Sequence, residues 1–317
     1  MTGRGRPSAL QAMVVAVGLL AGACGSPPTP SESPLAVATS SPTASPTEAP
    51  SASPSASATA TPSPTLTPSP TPAPTPVPSI VPCPGPASLT AGTTYPYTAT
   101  GFVGYAIGRP GANVTCVEAT WTLPKTTCSS KEQGFTASVA IDGWTSTDMH
   151  VKAPRTVEVG TETGCSGGKL TNWAWHLASP EHTFQYFDGL NPAVGDVIWA
   201  QIRFAGGIYT MSVRDKTTGV QVSINRSVAK IVRVAARWEV SAEAIDCATK
   251  CRSITLPKFA PIVFTSVDAT MGGKRVAVGG ASIIDVVEDA TKNGVKRLIA
   301  SSIAPSGRSF TVTWKHA

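Results

Sequence analysis

The chain has 317 residues, a formal net charge of +6, 29 prolines and seven cysteines. Charged residues make up 14% of the chain, against about 25% in an average soluble protein, so the composition is not that of one uniform globular domain. The basic residues form no run interleaved with aromatic residues, which argues against nucleic acid as a partner. The odd cysteine count means that at least one cysteine has no disulfide partner within the chain.

Residues 1–24 have the pattern of an export signal. Arg4 and Arg6 give a positive start, and an apolar stretch too short to span a bilayer leads to Cys24. The run Leu-Leu-Ala-Gly-Ala-Cys resembles a bacterial lipobox. We therefore predict that Cys24 carries a lipid and that the protein is an extracellular lipoprotein anchored to the cell membrane. The alternative is plain secretion after cleavage behind Ala23.

Residues 25–82 contain 17 of the 29 prolines and consist almost entirely of Ser, Pro, Thr and Ala. They include no aromatic residue and no Lys or Arg. Such a segment buries too little apolar surface to offset the entropy lost on ordering. We predict a disordered, extended spacer that carries the following domain away from the membrane.

Residues 83–317 must hold the folded domain, because they contain every Trp, Tyr and Phe of the chain. Six cysteines lie here, and an exported protein meets the oxidising conditions that disulfides require. Many pairings are open on sequence alone. The pairs we expect are Cys83–Cys116, Cys128–Cys165 and Cys247–Cys251, the last closing a small loop. Without a Cys-x-x-Cys pair we expect no zinc site, and nothing in the sequence calls for another metal or a cofactor.

Alternating apolar and polar residues dominate the domain and predict short β-strands. The expected strands are 114–123, 135–141, 197–204, 208–214, 220–224, 262–267, 283–287 and 310–314. The second should end at the turn signal Asp142-Gly143, and Ala205-Gly206-Gly207 should close a hairpin. Residues 235–248 could form a helix, but the alternation around Trp238 favours a strand. Many short strands without a long amphipathic helix predict an all-β sandwich or barrel.

Common catalytic motifs are missing or weak. The Gly-x-Ser-x-Gly pattern occurs at Gly164-Cys-Ser-Gly-Gly168, but no long helix follows it, so a serine hydrolase would lack its nucleophile turn. Gly272-Gly273-Lys274-Arg275 lacks the flanking residues of a phosphate-binding loop. Cys165 lies in Gly-Cys-Ser-Gly-Gly, where a disulfide is a better interpretation than a nucleophile.

A series of short motifs in a fixed order covers residues 101–314. They include Ala119-Thr-Trp-Thr-Leu-Pro124, Val139-Ala-Ile-Asp-Gly143, Thr156-Val-Glu-Val-Gly-Thr-Glu162, Asn172-Trp-Ala-Trp175, Ala236-Arg-Trp238 and Ser309-Phe-Thr-Val-Thr-Trp314. Their order and spacing resemble the glutamic peptidases (the eqolisin or peptidase A4 family), including bacterial members. The resemblance implies a concanavalin-like β-sandwich of two antiparallel sheets, with the binding cleft on a concave sheet face.

The resemblance also implies two catalytic positions, a glutamate acting as general base and a glutamine that stabilises the oxyanion. Here the glutamine position holds Glu158 and the base position holds Arg237, so both are substituted. An arginine cannot act as a base, because its pKa exceeds about 12. A carboxylate donates no hydrogen bond unless it is protonated. If the two positions still face each other, Glu158 and Arg237 should form an ion pair.

Further candidate cleft residues follow from the same resemblance. They are Asp142, Trp144, Glu162, Trp173 and Trp175. The tryptophans could instead pack in the core. Glu239 lies two residues after Arg237 and therefore on the same face of its strand. We expect Glu239 to be a solvated strand residue, with the alternative that it replaces the missing base.

These residues lead to competing functional hypotheses. The favoured one is a non-catalytic homologue that uses the cleft to bind a peptide, a glycan or a cell-wall polymer. The alternative is an acid endopeptidase in which Glu158 and Glu239 form a pair of carboxylates, as in acid proteases. A third is an unrelated sugar-binding sandwich that only mimics the order of the motifs.

Overall fold

The computed structural model describes residues 79–88, 92–99, 102–181, 183–242, 244–245, 252–253, 255–289 and 296–316. The predicted signal segment, most of the predicted spacer, and Cys24, Cys247 and Cys251 lie outside the described residues. In the part of the chain that is described, no helix has the length and apolar character needed to cross a membrane.

Strands make up nearly all of the regular structure. In chain order they are β1 (Ala87–Ser88), β2 (Thr93–Ala99), β3 (Phe102–Gly108), β4 (Val114–Thr122), β5 (Thr126–Thr127), β6 (Gln133–Ser146), β7 (Val151–Ser166), β8 (Lys169–Ala178), β9 (Gln185–Tyr186), β10 (Val197–Ala205), β11 (Ile208–Asp215), β12 (Gln221–Arg226), β13 (Ala235–Ser241), β14 (Ala244–Ile245), β15 (Arg252–Ser253), β16 (Lys258–Phe259), β17 (Ile262–Met271), β18 (Lys274–Ala277), β19 (Ile283–Asp289), β20 (Leu298–Ala300) and β21 (Phe310–Trp314). A short 3₁₀ turn covers Val278–Gly280.

The strands form two large sheets. Sheet A has nine strands in the order β1-β18-β17-β4-β10-β11-β12, with β21 beside β17 and β20 beside β21. Sheet B has eight strands in the order β2-β19-β3-β13-β6-β7-β8-β9. Neighbouring strands are antiparallel except for the pairs β1/β18 and β2/β19. The predicted all-β sandwich is confirmed.

The core lies between the inner faces of the two sheets, where alternate residues of each strand are buried. Trp121 of β4 and Trp238 of β13 are 1% and 0% exposed. Each indole N–H crosses to the other sheet: Trp121 Nε1 donates to Thr161 Oγ1 at 3.1 Å, and Trp238 Nε1 donates to the Glu118 carbonyl at 2.9 Å. Since Trp238 points inward, its neighbours on β13 point to the outer face of sheet B.

The N-terminal end of the domain lies across the outer face of sheet A. The predicted Cys83–Cys116 disulfide is confirmed and ties this segment to β4. The Cys83 backbone N–H donates to Glu118 Oε1 at 3.0 Å, and Gln201 Nε2 donates to the Val81 carbonyl at 3.0 Å. The chain therefore enters the domain on sheet A, away from the outer face of sheet B.

The predicted hairpin between β10 and β11 is confirmed, and Gly206 and Gly207 both take the positive φ that its tight turn requires. The predicted end of a strand at Asp142-Gly143 is wrong. Strand β6 continues to Ser146, and the two residues form a bulge with φ of 62° and 69°. A bulge uses the same positive-φ residues as a turn but leaves the strand running.

Candidate functional site

Three charged side chains meet near the middle of the outer face of sheet B. Arg237 and Glu239 come from β13, and Glu158 comes from β7. Strand β6 runs between them and places Ala140 opposite both Arg237 and Glu158. Because Ala140 presents only a methyl group, the two long side chains can reach each other across it.

Contacts between these three residues, which we call the ion triad, are close. Arg237 Nη1 lies 2.6 Å from Glu239 Oε2, and Arg237 Nη2 lies 3.4 Å from Glu158 Oε2. Arg237, Glu239 and Glu158 are 5%, 5% and 8% exposed. The ion pair expected between Glu158 and Arg237 is present. The expectation that Glu239 is solvated is wrong, because the shared guanidinium draws it into a buried ion pair.

The surrounding backbone and side chains fix this geometry. Arg237 Nε donates to the Asp142 carbonyl at 2.9 Å, and Ser138 Oγ donates to Glu158 Oε1 at 2.7 Å. A Cβ atom at Gly143 would lie 2.8 Å from Arg237 Nη2, so only glycine leaves room for the guanidinium in this position. The ion triad is therefore built together with the bulge in β6.

Electrostatics in the ion triad are set by burial and by one cation shared between two carboxylates. Burial raises the pKa of Glu239 to about 7, which outweighs the opposing effect of Arg237. Burial of the guanidinium lowers the pKa of Arg237, but the carboxylates of Glu239 and Glu158 raise it by more. Position 237 thus carries a fixed positive charge, and Glu239 titrates near neutral pH.

Asp142 organises the backbone that leads into β13. Its carboxylate accepts hydrogen bonds from the backbone N–H groups of Arg233, Val234 and Ala235 at 2.5, 2.7 and 3.0 Å. Burial raises the pKa of Asp142, and these N–H groups act against that rise. The contacts fix the start of the strand that delivers Arg237.

Two of the three candidate cleft tryptophans are buried. Trp144 is 2% exposed, lies 4.5 Å from the Tyr97 ring and donates its Nε1–H to Asp285 Oδ2 at 2.8 Å. Trp175 is fully buried and stacks on Phe184 at 3.9 Å. Their rings pack against other aromatic groups instead of offering open surface.

Glu162, Trp173 and Tyr186 form a second group of contacting side chains further along sheet B. They are paired across β7 and β8, and Tyr186 donates its hydroxyl hydrogen to Glu162 Oε2 at 2.5 Å. The predicted Cys128–Cys165 disulfide is confirmed and lies beside this group. Glu162 and Trp173 line a cavity of about 150 Å³.

Some contributors to the site had no sequence signal. Tyr186 follows a loop outside every motif, and its contact with Glu162 depends on the pairing of β8 with β9. The dipeptide Asp142-Gly143 marks Gly143 in the sequence, but such a dipeptide predicts a turn and gives no sign of a bulge beside Arg237. Across the described ranges, no three His, Cys, Asp or Glu side chains are grouped so as to hold a metal ion.

Comparison with known proteins agrees with the motif order. A sequence model of the Peptidase A4 family matches residues 100–314. No curated protein matches the chain in sequence.

Solved structures with a similar fold are also glutamic peptidases. One is scytalido-glutamic peptidase with a transition state analog inhibitor, with a TM-score of 0.58, 19% identity, and coverage of 68% of this chain and 98% of that one. Another is SCP-B, a member of the Eqolisin family of peptidases in a complex with the tripeptide Ala-Ile-His, with a TM-score of 0.53 and the same identity and coverage. At this identity the likeness establishes a shared fold.

Proposed function

Because the chain belongs to the peptidase A4 family of glutamic peptidases, we propose that it is a non-catalytic member that binds an extended peptide on the outer face of sheet B. The observation that carries this proposal is the ion triad. Arg237 stands at the family's base position and is paired with both Glu158 and Glu239.

Glutamic-type hydrolysis needs a base that takes a proton from water and a donor that stabilises the oxyanion. Arg237 keeps its proton at any pH at which the protein folds. Glu158 already accepts hydrogen bonds at both carboxylate oxygens, from Ser138 and Arg237. Since these residues are more than nine-tenths buried, a water and a scissile carbonyl would also have to displace existing contacts.

A peptide is the favoured ligand over a glycan or a wall polymer. The related SCP-B was solved with a tripeptide, and a loss of catalytic groups leaves peptide-binding surface in place. Tyr186 is 51% exposed and Trp173 is half-buried beside it. Aromatic rings of this kind supply apolar contact area at low cost in side-chain entropy.

We also propose that the protein is exported and held at the membrane through a lipid on Cys24, with plain secretion as the alternative. Two disulfides in the described domain support an oxidising compartment. The described part of the chain enters the domain on sheet A, on the opposite side from the proposed binding face.

Incubation of the purified chain with a reduced, alkylated protein between roughly pH 2 and 7 tests the loss of catalysis. We expect no cleavage products by mass spectrometry. The double variant Glu158→Gln/Arg237→Glu restores the family pair and is the positive comparison. Cleavage by the unaltered chain would overturn the proposal.

A specific observation favours a second candidate, a peptidase that uses Glu158 and Glu239. The pKa of Glu239 is raised to about 7, which suits a general acid or base near neutral pH. Such an enzyme would be most active near neutral pH, since Glu239 is protonated in acid and cannot then accept a proton. Cleavage that is present in the unaltered chain and absent in Glu239→Gln would establish this candidate.

A further inference from the structure

A cavity of about 220 Å³ lies at one edge of the sandwich, where the two sheets meet. It is lined by the β17–β18 hairpin of sheet A, by the residues just before β19 of sheet B, and by the end of β3. An engineered apolar cavity of about 150 Å³ accepts benzene, so this cavity has room for a small organic molecule.

Two basic side chains give this cavity an unbalanced positive charge. Arg109 and Lys274 both line it, and both are exposed. Within the part of the chain that the structure describes, neither forms an ion pair and no acidic side chain lines the cavity. Like charges at one site repel each other, and an anion bound between them removes that repulsion and accepts charge-assisted hydrogen bonds. The charge of the cavity therefore favours an anionic ligand.

The alternation of side chains along β18 separates Lys274 from the balanced charges nearby. Arg275 points to the outer face of sheet A, where it pairs with Glu118 at 3.0 Å and with Asp268 at 2.7 Å. Lys274 and Val276 point to the other face, because successive side chains of a strand alternate. The two carboxylates are thus held by Arg275 on the far side of the sheet from the cavity.

The backbone holds Arg109 beside the β17–β18 hairpin. The Arg109 N–H donates to the Val234 carbonyl at 3.1 Å, and the Arg109 carbonyl accepts the Ala112 N–H at 3.2 Å. At the turn of the hairpin, a Cβ atom on Gly272 would lie 3.8 Å from Arg109 Nη2. The guanidinium therefore lies near the turn that leads into Lys274, and both cations belong to the same edge of the cavity.

The inner part of the cavity is apolar. Met271 and Ala281 line it and are each 7% exposed. Val276 also lines it and packs against the main hydrophobic core. The lining thus changes from charged groups at the solvent side to apolar groups inside. This arrangement suits a molecule with an anionic head and an aliphatic tail.

We propose that this cavity binds a short aliphatic carboxylate. The carboxylate lies between Arg109 and Lys274, and the aliphatic chain lies against Met271, Val276 and Ala281. The N–H groups of a guanidinium match the two oxygens of a carboxylate, and each methylene that is buried adds to the affinity. This inference does not rest on the proposed peptide binding, since the ion triad is not part of the cavity lining.

Three small molecules test the proposal: hexanoate, hexanol and acetate. Hexanol keeps the aliphatic chain without the charge, and acetate keeps the charged head without the chain. In NMR titrations of the isotope-labelled full-length chain, we expect hexanoate to bind at least about tenfold more tightly than either of the others. The largest chemical-shift changes should fall on the N–H groups of Gly280 and Ser282, which line the cavity. Added salt should weaken the binding of hexanoate and leave that of hexanol unchanged.

Three variants locate the anion. Arg109→Gln and Lys274→Gln each remove one charge from the cavity, and each should weaken the binding of hexanoate at least about fivefold while leaving that of hexanol unchanged. Lys216→Gln removes the same charge at an exposed position outside the cavity and should leave the binding of hexanoate unchanged. Thermal unfolding of each variant shows whether it is folded.

Equal binding of hexanoate and hexanol overturns the proposal, because the cavity then does not recognise the charge. Equal binding of hexanoate and acetate also overturns it, because the apolar interior then holds no aliphatic chain. A lack of saturable shifts with hexanoate up to about 20 mM has the same consequence, as does a loss of affinity in Lys216→Gln equal to that in the two cavity variants. Each of these outcomes leaves the proposed peptide-binding function standing.

Discussion

Replacing Arg237 with methionine should destabilise the protein strongly and in a pH-dependent way. Methionine fills a similar apolar volume but leaves Glu158 and Glu239 buried without a cation. Opposite charges about 4 Å apart attract by about 4 kcal/mol at an effective dielectric constant near 20, and part of this is cancelled by desolvation. The contacts here are 2.6 and 3.4 Å long. Removing one partner of such a buried pair costs about 3–5 kcal/mol, which is the loss of unfolding free energy we expect at about pH 8.

Urea denaturation followed by tryptophan fluorescence measures this loss. It should shrink at about pH 4, because Glu239, whose pKa is raised to about 7, is then neutral and needs no counter-charge. Arg155→Met is the matched control on β7, where the guanidinium makes a 3.5 Å contact with the Ala229 carbonyl, and it should cost less than about 1 kcal/mol. A loss below about 1 kcal/mol for Arg237→Met, or one that does not change with pH, would refute the argument that the triad is a buried, charged unit.

Three further predictions concern stability. The pKa of Glu239 is about 7 in the folded chain, against an ordinary value of 4.5. Its contribution to stability is therefore present below pH 4.5 and is lost as the pH rises through 7. In urea titrations, the unfolding free energy of Glu239→Gln relative to that of the unaltered chain should rise by about 3 kcal/mol over this range. Gly143→Ala should cost more than Gly206→Ala, since both have positive φ but only Gly143 has Arg237 within 2.8 Å of the added methyl; equal shifts in the unfolding midpoint would contradict this. Removing the Cys83–Cys116 disulfide, with a sequence separation of 33, should cost about 4 kcal/mol by the loop-entropy argument, and an unfolding midpoint insensitive to the double Cys→Ser change would count against it.

Much of the fold could be predicted from the sequence because its signals are local. The alternation in Val197–Ala205 and Ile208–Asp215, joined by two glycines, specifies a hairpin without reference to the rest of the chain. The bulge at Asp142-Gly143 was predicted as a turn, because the dipeptide specifies positive φ but not whether the strand resumes. Strand β6 continues past the bulge because residues 144–146 pair with β7.

The candidate site could be predicted only in part. We expected an ion pair between Glu158 and Arg237 if their two positions face each other, and the ion pair is present. Glu239 was expected to be solvated, because nothing in the sequence shows that Arg237 turns toward it or that the face above it is covered. Trp144 and Trp175 were equally open to a cleft or a packing role, and their neighbours Tyr97 and Phe184 decided for packing.

The sequence by itself determined the class of fold and the resemblance to the family, because both depend on residue type, spacing and motif order, and it predicted the two described disulfides only as one choice among several pairings. Only the tertiary structure decided how charge is distributed on the outer face of sheet B. One guanidinium is shared by two carboxylates from different strands, while Glu162 receives a hydroxyl and no described cation. Such pairing depends on strand register and on small residues such as Ala140 and Gly143 that let distant side chains meet, and these are long-range properties that no local pattern records.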